Sequence, residues 1–188
     1  GEVYPFTQFG EPWPVKDVNA ILNKFPPIEH RAVCGHFPVW FLQKKDPDFF
    51  TTSFSFTILR DPIERVLSHY FFLKTLKDPI RSPIHVLPNF MCRVLCSDPS
   101  LAGEALLANA IYNLERLDFI IFLDDFDEGV RRLFAKLNFP YKETIPSLNK
   151  TPRSKEFDQD TMNTLRRQND LDIRLYDYAK TYLRNKSF

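Results

Sequence analysis

Residues 53–74 read SFSFTILRDPIERVLSHYFFLK, and the change of pattern inside this stretch decides the class of fold. Residues 53–59 are dense in β-branched and aromatic side chains, which fit the pleated, half-buried surface of a strand. The strand pattern stops at Arg60-Asp61-Pro62. Asp61 has the short acceptor side chain that caps a helix, and Pro62 suits the first helical position, where its missing N–H would have no partner anyway. Glu64 stands where it can complete a capping box. Ile63, Val66, Leu67, Tyr70 and Phe71 then recur at the spacing of one buried helix face, to about Lys74, and Ser68 lies off that stripe. A strand running directly into a helix is the expected local structure.

Working outward, the same alternation recurs. Residues 17–25 (DVNAILNKF) carry Val18, Ile21, Leu22 and Phe25 at helical spacing, with Pro26-Pro27 as a stop. Residues 30–34 (HRAVC) read as a short strand broken by Gly35, which puts His36 at a strand end. Downstream come a proline-punctuated loop over 78–88 and helical segments over 89–96 and 101–114. A second apolar strand follows over 118–123 (DFIIFL), then an amphipathic helix over 127–137. Residues 158–184 keep helical periodicity, with a break expected near 169–172. Strands alternating with helices predict an α/β fold: a small parallel sheet with helices on both sides and a largely helical C-terminal part.

Composition limits what such a fold is for. At 188 residues and 44% hydrophobic content, one domain with a sizeable core is expected. The 25 basic and 24 acidic residues nearly cancel, which argues against a nucleic-acid partner; any anion site must be local. Three cysteines, Cys34, Cys92 and Cys96, are too few for a disulfide framework and point to a reducing compartment. Cys92 and Cys96 lack companion ligands at metal spacing and read as core residues on one helix face. No apolar run is long enough to span a bilayer, and residues 1–14 lack the apolar stretch of a signal peptide.

The chemistry is expected at the junction after residue 59. In open α/β sheets, ligands gather beyond the carboxyl ends of the strands, where helix N-termini present unpaired amides. Arg60 offers a planar fork for two phosphate oxygens, and Ser68, about two helical turns on, offers a hydroxyl from a face that packing does not need. Together they can hold a phosphate monoester. The alternative is plain: an arginine at a strand end often pairs with a nearby carboxylate, and a helix serine is usually just solvated.

The segment FTILRDPIERVLSHYFFLK resembles the 3'-phosphate-binding segment of sulfotransferases that use 3'-phosphoadenosine 5'-phosphosulfate, in which Arg and Ser stand eight positions apart, as Arg60 and Ser68 do. Upstream, HRAVCGHFPVWF resembles the Gly-His segment of the carbohydrate O-sulfotransferases, heparan-sulfate type included, in which a histidine acts as catalytic base; by that resemblance the base is His36. Imidazole suits the task, since an acceptor hydroxyl attacks sulfur well only if its proton is taken as the bond forms. His69 is a weaker candidate. Further on, residues 111–140 and SLNKTPRS resemble the late strand and C-terminal end of the family, where a basic loop closes over the 3'-phosphate; this implies supplementary contacts from Lys150 and Arg153.

The resemblance implies a P-loop-NTPase-like parallel sheet, 3'-phosphoadenosine 5'-phosphosulfate as co-substrate without a metal, and a hydroxyl-bearing acceptor, expected to be a carbohydrate. Trp13 and Trp40 are candidates to stack on a sugar or the adenine. A cytoplasmic location is expected, with the Golgi lumen as the alternative for an enzyme whose anchor has been removed. In one respect the chain departs from the pattern. The family's loop for the 5'-phosphosulfate, a Lys or Arg with Thr or Ser around a Gly, has no counterpart in GEVYPFTQFGEPWPV. Either the domain's first strand and loop are missing, which is the favoured expectation, or the chain is a degenerate member that binds nucleotide without transfer.

Overall fold

The computed structural model describes residues 37–75, 82–141 and 156–184. The helix expected over 17–25, the strand over 30–34, and the site candidates His36, Lys150 and Arg153 lie outside the described residues, as does Trp13.

Two short helices, α1 (Val39–Lys45) and α2 (Phe49–Thr52), precede the first strand. The sequence patterns did not announce them. They are brief, and the turn between them is held by Asp46, whose carboxylate accepts from the Asp48 N–H (3.0 Å) and the Thr52 hydroxyl (2.9 Å). Strand β1 (Phe56–Leu59) is shorter than the apolar pattern suggested, because Ser53 still closes α2 through its N–H to the Phe49 carbonyl. Helix α3 (Pro62–Thr75) follows β1 almost at once, and α4 (Phe90–Leu95) and α5 (Gly103–Arg116) lead to β2 (Phe119–Phe122). Then come α6 (Phe126–Lys136), α7 (Gln159–Gln168) and α8 (Asp170–Tyr178), the last running into a π-helical turn, Ala179–Leu183. The expected break falls at Asn169. Asp158 caps α7 by accepting from the Thr161 N–H at 2.7 Å.

β1 and β2 pair in parallel, Phe56 opposite Phe119 and Leu59 opposite Phe122. Side chains alternate across a strand, so this register fixes two faces. Leu59, Ile120 and Phe122 pack into the main core with Leu106, Leu107, Ala110 and Leu114 of α5, Leu175 and Tyr176 of α8, and Val39, Phe49 and Phe50 of α1 and α2. Phe119 and Ile121 face the other way, against Val130 and Leu133 of α6. Helices thus cover both faces of β2. Over β1 the α6 side is open: Phe56 and Ile58 are 40% and 46% exposed. A third cluster joins Val66, Leu67, Tyr70 and Phe71 of α3 to Val86 and Leu165, with Phe157 packed against it.

The cysteines Cys92 and Cys96 are fully buried and free, packed in the main core as their apolar setting implied. Beside them is a polar node that ties α4 to α8. Asp172, fully buried, accepts from the N–H groups of Met91 (2.9 Å) and Cys92 (2.8 Å), which are unpaired donors at the start of α4. Asn89, in the left-handed conformation at φ 51°, accepts from the Asp172 N–H, and Asn169 accepts from the Asn89 N–H. The two helix starts cap each other.

The architecture is therefore α/β and chiefly helical, around a two-stranded parallel sheet among the described residues. That sheet is smaller than the one the family resemblance implied. Among the described residues no helix is long and apolar enough to cross a membrane.

Candidate functional site

The carboxyl ends of β1 and β2 lie side by side because the strands are parallel and in register, so the segments leaving both strands meet at one rim. Beyond β1, Asp61 caps α3: its Oδ1 accepts from the Glu64 N–H at 2.9 Å, and its carbonyl accepts from the Arg65 N–H. Pro62 is the first helical residue. These placements match the sequence reading. The Glu64 carboxylate, expected to complete the capping box, instead meets Arg60, with Nη2 to Oε2 at 3.5 Å. Its two partners compete for one short side chain, and the guanidinium one turn back carries a full charge.

Arg60 is partly exposed, its side chain at 30%, and the Glu64 side chain at 45%. Ser68 is half-buried on α3, off the stripe formed by Val66, Leu67, Tyr70 and Phe71. Residues four apart share a helix face, so Glu64 and Ser68 lie on the same side of α3, and Arg60, which precedes the helix, meets Glu64 from the strand end. The helix N-terminus, with its partial positive charge, lies at the arginine end. A carboxylate thus occupies the position at the guanidinium that a phosphate would take. At this exposure the ion pair is worth about 0–1 kcal/mol, little enough for a doubly charged phosphate to displace it.

Beyond β2, a 3₁₀ turn (Leu123–Asp125) presents two carboxylates to the last helix. Asp124 pairs with Lys180, and Asp125 with Arg184. The Lys180 ammonium also lies over the rings of Tyr176 (5.4 Å) and Phe122 (5.7 Å). The hydrogen bond from Lys180 holds the Asp124 carboxyl below its usual range, and the same contact raises the Lys180 ammonium. Burial, and then the Asp124 charge, push the Tyr176 phenol up. Lys180, Arg184 and Tyr176 were not singled out from the sequence. The available signal was Asp124-Asp125 closing an apolar strand, with Lys180 and Arg184 four apart on the final helix.

Among the described residues, Arg60, Lys180 and Arg184 at this rim each have a carboxylate partner. His69 is half-buried beside the Phe72 ring, and Trp40 is half-buried edge-on to Phe41, a packing role. A shallow cavity of about 300 Å³ lies at the opposite end of β2, lined by Leu114, Glu115, Arg116, Leu117, Asp118, Ile120 and Leu183. Its polar groups are engaged in structure: Asp118 accepts from the Ser55 N–H (2.7 Å) and hydroxyl (3.1 Å), and Arg116 stacks on Phe50 at 4.1 Å. The rim at the carboxyl ends, where Arg60 stands, is the better site on chemical grounds. Among the described residues no group of three or more His, Cys, Asp or Glu converges as metal ligands would. No family model, no curated protein and no solved structure matches the chain.

Proposed function

We propose that the chain is a sulfotransferase that moves a sulfuryl group from 3'-phosphoadenosine 5'-phosphosulfate to a hydroxyl, carbohydrate in class. Arg60 and Ser68 bind the 3'-phosphate, Lys150 and Arg153 add contacts to it, and His36 is the base. The acceptor oxygen attacks sulfur as His36 takes its proton. The bond from sulfur to the 5'-phosphate oxygen breaks, and the electron pair leaves on the 3',5'-bisphosphate. The observation that supports this reading is the position of Arg60, at the carboxyl end of β1 and next to the start of the helix that bears Ser68, with an exposed ion pair to Glu64.

Calorimetry with adenosine 3',5'-bisphosphate and adenosine 5'-monophosphate tests the binding half. The bisphosphate is expected to bind more tightly, and Arg60→Ala to lose about tenfold to a hundredfold of that affinity, as charge-assisted hydrogen bonds of about 1.5–3 kcal/mol require. Equal affinities for the two nucleotides would remove the case for a 3'-phosphate site.

A second reading is a degenerate module that keeps the nucleotide site without transfer. Transfer from the sulfate donor to a carbohydrate acceptor separates the two. The enzyme reading expects turnover that falls at least about a hundredfold in His36→Ala, with bisphosphate affinity kept. Binding without turnover in the unaltered chain supports the module.

A further inference from the structure

Tyrosines flank the shallow cavity at the amino end of β2. On one margin the Arg116 guanidinium, which lines the cavity, lies over the rings of Phe50 (4.1 Å) and Tyr112 (5.4 Å). On another, Tyr178 donates to the carboxylate of Glu115, also a lining residue, and its ring meets that of Tyr182 at 5.0 Å. Tyr112, Glu115 and Arg116 share one face of α5, being three and four residues apart. Tyr182 lies in the π-helical turn Ala179–Leu183, and such turns within helices recur at functional sites. Leu183, beside it, is buried in the main core and lines the cavity. Tyr182 itself is 68% exposed and Tyr112 57%. A single exposed ring is ordinary; two of them around one concave surface, each beside a charged lining residue, form a pattern that binding sites share.

The structural contacts here leave hydrogen-bonding capacity over. Asp118 holds Ser55 through Oδ2 alone, and its Oδ1 has no donor among the described residues. Arg116 is fixed by rings instead of by a carboxylate, so the N–H edge of its guanidinium has no acceptor among the described residues. A carboxylate only accepts and a guanidinium only donates. A ligand that serves both must do both, as a hydroxyl does. Charge narrows the class further. An anion would meet Glu115 and Asp118, and a cation would meet Arg116, which already takes the cation's place over the Tyr112 ring. A pyranose answers each feature: its hydroxyls donate to a carboxylate and accept from a guanidinium, and its C–H face packs on an aromatic ring.

We propose that this cavity binds neutral sugar residues of a glycan, with Tyr112 and Tyr182 as stacking platforms and Arg116 and Asp118 as the hydroxyl-binding groups. Its volume of about 300 Å³ is at the small end for ligand sites, so it holds a short stretch of chain. The site lies at the other end of β2 from the rim where Arg60 stands and does not rest on the transferase reading.

Saturation-transfer NMR on the full chain, without nucleotide, tests the proposal with two neutral probes, cellotetraose and tetra-N-acetylchitotetraose. At least one is expected to bind. Tyr112→Ala and Tyr182→Ala are each expected to weaken that binding by about three- to tenfold, the size of one lost ring contact. Both rings are exposed, so their removal spares the core. Tyr182→Phe, which keeps the ring, is expected to stay within about twofold of the parent. Phe139→Ala, which removes a comparably exposed ring elsewhere, is expected to change nothing. No binding of either probe, binding that both tyrosine-to-alanine variants retain, or an equal loss in Phe139→Ala overturns the proposal. Tighter binding of inorganic sulfate or tetramethylammonium through the same tyrosines also overturns it and assigns an ionic ligand. Self-association that the tyrosine variants abolish in sedimentation, without sugar binding, overturns it in favour of a second copy. Nucleotide plays no part in these readouts, so this site and the transferase reading fail separately.

Discussion

Glu64 has two possible duties, and its choice between them carries chemical weight. As the third helical residue it could reach back to the backbone at Asp61, but its carboxylate meets the Arg60 guanidinium at 3.5 Å. If Arg60 and Ser68 form an anion site, Glu64 is its internal competitor. Glu64→Gln keeps the shape and removes the charge. The expected outcome is bisphosphate binding about two- to fivefold tighter at low salt, the equivalent of an exposed ion pair of about 0.5–1 kcal/mol, read by calorimetry. Weaker binding would mean that Glu64 positions Arg60 for the ligand instead of shielding it. That Ser68 lies off the buried stripe of α3 was legible in the spacing. That the Glu64 carboxylate pairs with Arg60 was not, because a capping box and an ion pair look alike in sequence.

At the scale of elements, the contact of α6 with β2 turns on a missing side chain. A Cβ built on Gly129 would lie 2.7 Å from Cγ2 of Ile121, a residue 1% exposed. Helix propensity alone predicts that Gly129→Ala gains about 1 kcal/mol. Overpacking against a buried branched side chain costs about 1–3 kcal/mol, and in a close-packed interior the second effect wins. Denaturant unfolding is expected to show Gly129→Ala less stable than the parent by about 1–2 kcal/mol. In an Ile121→Ala background the same change is expected to stabilise, since the obstructing atom is gone and the propensity gain remains. If Gly129→Ala destabilises equally in both backgrounds, Ile121 is not the obstacle. The amphipathic pattern of residues 127–137 foretold this helix but not its closeness to the sheet.

For the molecule as a whole, Asp172 joins segments some 80 residues apart in sequence, since it caps α4 from α8. Burial is the largest influence on its carboxyl and raises it above the usual range, against the pull of the Met91 and Cys92 N–H groups and of Arg65. Burial likewise lowers the Arg65 guanidinium, which lies over the Phe90 ring at 5.0 Å. A carboxyl raised on folding binds its proton more readily in the native state. Its contribution is therefore most favourable below the ordinary carboxyl value near 3.9, and it declines as pH rises toward the folded value. Asp172→Asn is expected to lose stability overall and to lose this slope, so its deficit against the parent should shrink from pH 4 toward neutrality in unfolding experiments. A deficit independent of pH would show that the carboxyl does not titrate across this window. Asp172→Ala, which leaves two buried N–H groups unpaired, is expected to cost about 2–5 kcal/mol. Read alone, the sequence determined the order of elements from residue 53 onward, the break at Asn169 and the strand-to-helix turn at Arg60, because these come from periodicity and from the local chemistry of Asp and Pro. It also placed Cys92 and Cys96 in the core. Only the tertiary structure decided that Asp172 is buried, that Lys180 and Arg184 close over the end of β2, and that one side of β1 stands open. Those outcomes depend on which distant segments meet, and a local pattern carries no record of that.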